Sequence, residues 1–329
     1  MNNFCTLFNS LYLSRGLAMY RSLEKCARNF HLYIFAFDDE CYSILTRLQL
    51  AKATIIPLSD FEDEQLFAIK PTRTAGEYCW TCTPSIILYS IRKFGLSNCT
   101  YLDADLFFYA DPIVLIEEAK GASVIITPHR YTPMYEDSES GGTYCVQFVY
   151  FKNSAEGIAV LEWWRAACIE WCYNRREPGR FGDQKYLDLW TTMFTGIHVL
   201  EHLGGGVAPW NVQQYDFERK IGQIWGKELA SQQLFPVIFY HFHALKYADK
   251  NSFIPAGTYV MTDNDIELLY KPYIRTLVSA GREIKSLSNT VVSHEIKEIP
   301  RIRTSLRRMF KLYVFGKFRE YYHQSYFLR

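Results

Sequence analysis

Strand-like and helix-like segments alternate from residue 4 to residue 58, and that alternation leaves few folds open to the chain. Residues 4–8 form an apolar run that ends in Asn9-Ser10. A helical pattern over residues 15–27 follows, with Leu17, Tyr20 and Leu23 on one face. Residues 31–37 read as a second strand closed by Asp38-Asp39, residues 40–50 as a second helix, and residues 53–58 as a third strand. Strands joined by helices run parallel, so the pattern predicts an α/β protein with a doubly wound sheet. Such sheets bind ligands at the carboxyl ends of their strands. Thr6, Asn9 and Asp38 close the first two strands and are expected to line a pocket there.

Further along, residues 83–94 read as a helix, 123–127 and 146–151 as strands, 155–175 as a helix, and 235–243 as a late strand. Residues 131–142 are polar and glycine-tipped, a candidate mobile loop. The glycine-rich turn at 203–207 lacks the Lys-Ser/Thr ending of a phosphate-binding loop.

Two carboxylates stand out in Thr100-Tyr101-Leu102-Asp103-Ala104-Asp105-Leu106-Phe107-Phe108-Tyr109. An extended run feeding into Asp-x-Asp points both acids to one side. Two hard oxygen donors on one side suit a divalent cation that also holds phosphate oxygens. The same pattern recurs at Asp263 and Asp265, after Thr262 and before an apolar helical stretch, where a helix N-cap is the better reading. Asp103 and Asp105 differ in having apolar segments on both sides, and buried acids need a partner.

The chain of 329 residues carries a net charge of +1, so no global nucleic-acid signature is present. No apolar run is long enough to span a bilayer, and Met1-Asn2-Asn3-Phe4 lacks the basic start of a signal peptide. Nine cysteines, an odd number scattered through apolar segments, point to a reducing compartment. These features predict a cytoplasmic protein. Cys79, Cys82, Cys168 and Cys172 suit buried thiols better than a zinc site, because their spacing is wrong for a zinc ribbon. From Lys297 onward bases outnumber acids, including Arg301, Arg303, Arg307, Arg308, Lys311, Lys317 and Arg319. Phe310, Tyr313, Phe315, Phe318, Tyr321, Tyr322 and Phe327 are interleaved with them. This composition suits either a membrane interface with anionic lipids or a helix packed on its own domain.

Several segments line up with Asp-x-Asp in chain order. They are Tyr101-Leu102-Asp103-Ala104-Asp105 with Asp111-Pro112, Gly182-Asp183-Gln184, Pro209-Trp210-Asn211, and His241-Phe242-His243-Ala244-Leu245-Lys246. Together they resemble metal-dependent glycosyltransferases of the GT-A fold, nearest to the family 8 type of glycogenin and lipopolysaccharide galactosyltransferase. The resemblance covers residues 4–246. It implies a GT-A domain (Rossmann-like, with a doubly wound mixed sheet) at residues 1–250 and a basic, aromatic, mostly helical extension at 251–329.

The resemblance also implies a Mn²⁺ or Mg²⁺ ion on Asp103, Asp105 and a late histidine. His241 is favoured by register, with His243 as the alternative on the same strand face. A nucleotide sugar, with uridine diphosphate as its carrier, would meet Thr6, Asn9, Asp38, Arg73, Glu77, Asp103 and Lys246. Asp183 and Gln147 are expected to act on the reacting sugar, and Gln184, Trp210 and Asn211 to bind substrate. The acceptor would be a saccharide or lipid-linked saccharide. The basic tail would hold the enzyme at the inner face of a bacterial membrane during surface polysaccharide synthesis.

Here Ala244 replaces the family's glycine, and Lys246 comes one residue early. Asp183 also suits a helix N-cap, and Trp210 a core residue. A haloacid-dehalogenase-type phosphatase also uses Asp-x-Asp after a strand, and Gly182-Asp183 with Asp188 resembles its late acidic motif. The bulky Phe107 and the position after about three strands count against it. A nucleotidyltransferase would want a basic, glycine-rich first loop, where residues 9–16 offer only Arg15 and Gly16. A non-catalytic glycan-binding module is the remaining alternative.

Overall fold

The computed structural model describes residues 2–249, 251–296, 314–318 and 320–329. Its centre is a seven-stranded sheet in the order β3-β2-β1-β4-β7-β6-β8. The strands are β1 (Asn2–Phe8), β2 (Phe30–Ala36), β3 (Ala53–Pro57), β4 (Asn98–Leu102), β6 (Val124–Pro128), β7 (Tyr144–Lys152) and β8 (Ile197–Val199). All neighbours are parallel except β7, which runs antiparallel to both β4 and β6. This is the doubly wound mixed sheet expected from the sequence.

The alternation of side chains explains why the first strands read as continuous apolar runs. In β1 and β2, Phe4, Phe8, Leu32 and Ile34 join one core, while Cys5, Leu7, Tyr33 and Phe35 join another on the opposite face. Helices α1 (Leu13–Cys26) and α2 (Asp39–Leu48) cover the first face through Leu17, Leu23, Ile44 and Leu45. Helices α3 (Ala75–Phe94) and α4 (Ala155–Glu170) cover the second through Ile86, Ile87, Val160 and Trp164.

The chain leaves β1 toward β2 and β3 on one side, and β4 lies on the other. The switch point of the sheet is therefore the gap between the carboxyl ends of β1 and β4. Beyond β4 a short strand β5 (Leu106–Phe108) pairs antiparallel with β12 (Phe239–His241). Strands β9 (Tyr215–Lys220), β10 (Gln223–Glu228) and β11 (Leu234–Pro236) form a separate sheet. A fourth sheet joins β13 (Lys246–Asp249), β14 (Ser252–Ile254), β16 (Tyr321–His323) and β15 (Lys317–Phe318). Helix α5 (Lys271–Leu287) shares a third core with these strands, including Tyr273, Ile274 and Leu277.

Four expectations change. The helix read from residue 83 starts at Ala75, because Thr74 and Glu77 form a capping box that fixes its first turn. The helix read to residue 175 ends at Glu170. The late strand is two strands in two sheets, parted after Pro236. The loop at 131–142 is tied down, with the Arg176 guanidinium on Asp137 and the Lys185 ammonium donating to the Ser138 carbonyl.

The second Asp-x-Asp behaves as expected. Asp265 accepts from the Thr262 amide at 2.8 Å and donates its own amide to the Thr262 hydroxyl at 3.1 Å. Of the tail aromatics, Tyr322 and Phe327 are buried in the third core, while Phe315 is exposed. The basic residues from Lys297 to Lys311, with Phe310, Tyr313 and Arg319, lie outside the described residues. No helix among the described residues is long and apolar enough to cross a membrane.

Candidate metal centre

The site is assembled by two backbone pairings at the switch point. Leu102 pairs with Phe148 at the end of β4, and the Asp103 amide donates to the Gln147 carbonyl at 3.1 Å. On the other side, β12 sets His241 opposite Leu106, and the Phe242 amide donates to the Asp105 carbonyl at 3.0 Å. His241 is thereby delivered to the two acids from a segment more than a hundred residues away.

One donor atom from each of Asp103, Asp105 and His241 lies within 4.8 Å of the others. This is the only such group of His, Cys, Asp and Glu among the described residues. His241 Nε2 is 3.2 Å from Asp105 Oδ1 and 3.7 Å from Asp103 Oδ2. Its other nitrogen, Nδ1, donates to Gln147 Oε1 at 2.8 Å, which turns the Nε2 lone pair toward the acids when the ring is neutral. The Tyr101 hydroxyl donates to Asp103 Oδ1 at 2.9 Å. Two carboxylates and one imidazole, oriented from behind, suit a divalent cation of the Mn²⁺ or Mg²⁺ kind. His243 stands outside this group, in a turn beyond β12 rather than on a shared strand face. That turn holds Ala244 at φ 67°, a left-handed conformation that glycine adopts more readily than alanine.

The two acids are held in different states. Burial raises Asp105, but the His241 charge and hydrogen bond, then Arg15 and His243, bring it down to about 2. Asp103 is raised to about 6, by burial first, with the neighbouring Asp105 charge adding to it and His241 opposing. His241 itself is pushed up by the two carboxylates despite its burial.

Asp183 is almost fully buried, and burial with the nearby Asp103 charge raises it to about 7. It is not a helix cap, since the short turn Lys185–Leu189 is preceded by Gln184 and receives no side-chain cap. Thr83 on α3 hydrogen-bonds its carboxyl group. The preceding Gly182 sits at φ 54°, and a Cβ there would touch the Trp80 ring at 3.4 Å.

The other expected residues take varied places. Gln147 is fully buried behind His241, with its Nε2 unpartnered. Trp210 is buried beside His241 and His243, at ring distances of 5.4 and 5.6 Å, and its indole donates to the His129 carbonyl. Asn211 bonds the His129 and Gly206 carbonyls and the Ala208 amide, so it builds the wall under Trp210. Gln184 donates to the Gly141 carbonyl.

At the other end of the cleft, Asp38 caps α2 through the Cys41 amide and receives both the amide and hydroxyl of Ser10, tying the loop after β1 to β2. Thr6 is buried with its hydroxyl unpartnered, and Asn9 is half-buried at the end of β1. Arg73 lies on the Tyr173 ring, and Glu77 also accepts the Asn174 amide, which places both at the rim of α3. The Lys246 ammonium is exposed and makes no hydrogen bond or ion pair among the described residues.

Two residues at the cleft carry no motif in the sequence. Tyr12 is 40% exposed just after β1, and Arg15 lies beneath its ring. Their only signal is position, directly after a strand that ends at the switch point.

No protein-family model matches the chain. Among solved structures it resembles the galactosyltransferase LgtC in complex with donor and acceptor sugar analogues, at 10% identity and a TM-score of 0.46, covering 91% of this chain and 98% of that one. Its curated relatives are closer. It is 30% identical over 289 residues to the uncharacterized protein YfnD of Bacillus subtilis (strain 168), covering 86% of this chain and 91% of YfnD. It is 30% identical over 293 residues to YfnF of the same strain, covering 86% of this chain and 94% of YfnF. The chain belongs to the family of YfnD and YfnF.

Proposed function

We propose that the chain transfers a sugar from a nucleotide-diphosphate sugar, with uridine as the favoured base, to a saccharide acceptor. The observation that carries this reading is the convergence of Asp103, Asp105 and His241 at the switch point of the sheet. A divalent ion held there supplies positive charge to a leaving diphosphate. The protein's own residues supply the rest. Tyr101 and Gln147 fix the orientation of Asp103 and His241. Lys246 brings a cation not committed to any carboxylate among the described residues. Asp183, with an ionisation near 7, meets sugar hydroxyls and takes up or holds a proton there.

The test uses the full chain with Mn²⁺ and a panel of sugar nucleotides, reading slow donor hydrolysis. Turnover of one uridine diphosphate sugar is the expected result. Asp105→Ala should abolish the Mn²⁺-dependent part of nucleotide binding. If the nucleotide affinity of that variant is unchanged with and without Mn²⁺, the reading is wrong.

In this reading residues 1–250 perform the transfer, and residues 251–329 bring it to a lipid-linked saccharide at the inner face of a bacterial membrane. Support comes from the bases at Arg301, Arg303, Arg307 and Arg308, each worth roughly 1 kcal/mol near anionic headgroups. Truncation is a poor test, because it would remove Tyr322 and Phe327 from the core. Replacing those four arginines with glutamine should abolish sedimentation with anionic vesicles at low salt and leave donor hydrolysis unchanged. Unaltered sedimentation would remove the membrane role.

A further inference from the structure

Arg15 lies in the first turn of α1 and is 5% exposed. A buried guanidinium ordinarily pairs with a carboxylate, because the desolvated charge is otherwise costly. Arg15 makes no such ion pair among the described residues. Its Nη2 donates to the Leu245 carbonyl at 3.1 Å. The rings of Tyr12 and Tyr247 lie 4.6 and 5.2 Å from its guanidinium carbon. Rings attract the cation but leave its N–H groups unsatisfied, and Nη1 has no hydrogen-bond partner.

The surroundings point to what is missing. Leu245 directly precedes Lys246, so Arg15 grips the backbone that carries the free ammonium. The Arg15 charge also acts on Asp105 of the acid cluster. The orphaned donor thus belongs to a positive region between the acid cluster and Lys246. Of the two rings against its guanidinium, Tyr12 is exposed and Tyr247 is buried.

We propose that Arg15 is a further diphosphate contact beside Lys246, with Arg15 Nη1 donating to a phosphate oxygen of a nucleoside diphosphate once the Tyr12 ring turns aside. This rests on the nucleotide-sugar reading and adds to it a component of phosphate recognition that needs no metal. Arg15 then sets the preference for a diphosphate over a monophosphate, while the base and ribose are held elsewhere. The competing account is a purely structural staple between α1 and the Leu245 carbonyl.

Calorimetric titrations of the full chain and of Arg15→Met with uridine, uridine monophosphate, uridine diphosphate and inorganic pyrophosphate, each with EDTA and with Mn²⁺, separate the two. Losing a charge-assisted hydrogen bond should weaken diphosphate and pyrophosphate binding in EDTA by at least about tenfold. Uridine affinity should change by less than about twofold, and Arg15→Lys, which keeps the charge but not the planar fork, should lose less of the diphosphate preference than Arg15→Met. An unchanged ratio of diphosphate to monophosphate affinity in Arg15→Met overturns the proposal, as does an equal loss for uridine and uridine diphosphate.

If both variants fail to fold, a crystal structure of the unaltered chain with Mn²⁺ and uridine diphosphate decides. Nη1 within about 3 Å of a phosphate oxygen supports the contact, and Nη1 still facing only protein overturns it. A chain that binds no nucleoside diphosphate of any base removes the transferase reading itself, a result distinct from loss of the Arg15 effect alone.

Discussion

Replacing Asp183 with asparagine should stabilise the protein above neutral pH while slowing its turnover. The folded carboxyl ionises near 7, against 3.8 for the free group. Between those values the folded state holds a proton that the unfolded chain has released. The unfolded state therefore binds fewer protons, and stability falls as pH rises, by 1.36 kcal/mol per unit. Across the window the loss is about 4 kcal/mol, and it is complete once pH passes the folded ionisation. The carboxyl is almost fully buried, so solvent does little to screen the effect.

Asparagine keeps a polar group for Thr83 and carries no charge to desolvate. At a typical unfolding entropy of about 2.1 cal/mol/K per residue, the difference amounts to about 6 °C in Tm for a chain of this length. Melting curves at pH 5, 6, 7 and 8 should show the Asp183→Asn variant gaining on the parent up to about pH 7 and then staying ahead of it by a constant margin. Parallel Tm profiles across the whole range would refute the argument. In the same variant, donor hydrolysis should slow by about a hundredfold or more, as expected for a lost proton-transfer or hydroxyl-positioning group, with nucleotide affinity unchanged. A variant that turns over at the parental rate would reduce Asp183 to a buried acid without a role in transfer.

Two further outcomes follow from contacts at the centre. Gln147→Leu removes the acceptor for His241 Nδ1 and should lower Mn²⁺ affinity by about 10- to 100-fold, read by Mn²⁺ paramagnetic titration; an unchanged affinity would show that the ring needs no such support. Ala244→Gly relieves a left-handed alanine at φ 67° and should raise stability by about 0.5–1 kcal/mol, read by urea denaturation. Destabilisation there would mean that the Ala244 methyl group packs usefully against its neighbours.

The first half of the sheet was legible because burial on both faces writes itself into composition. β1 and β2 feed two cores, so their residues are apolar without a polar alternation to blur them. The end of α2 was read two residues late, because the left-handed turn that stops it after Leu48 falls on Gln49, which carries no turn signal. The start of α3 was visible, in Thr74-x-x-Glu77, but reading Glu77 as a nucleotide contact hid the capping box that the same spacing spells. At the late strand, Pro236 was the signal. An apolar run through residues 235–243 looks like one strand until a proline shows where a ladder hydrogen bond must be missing. Which partner each half then finds depends on β10 and β5, and no local pattern records that.

The same limit explains why the acids were found and their states were not. Asp-x-Asp announces itself, and its two residues look equivalent in sequence. In the fold they are not. Asp105 has His241 Nε2 at 3.2 Å and feels the Arg15 charge, while Asp103 has His241 Nε2 at 3.7 Å and the Tyr101 hydroxyl. The consequence is one carboxylate held charged near 2 and one balanced near 6. Arg15 lies more than two hundred residues before Leu245, and only the switch between β1 and β4 brings them face to face. Asp105 is thus fixed as the permanent anion of the site by His241 first and then by Arg15, which no motif contains, and Asp103 is left to exchange its proton for whatever cation the site takes up.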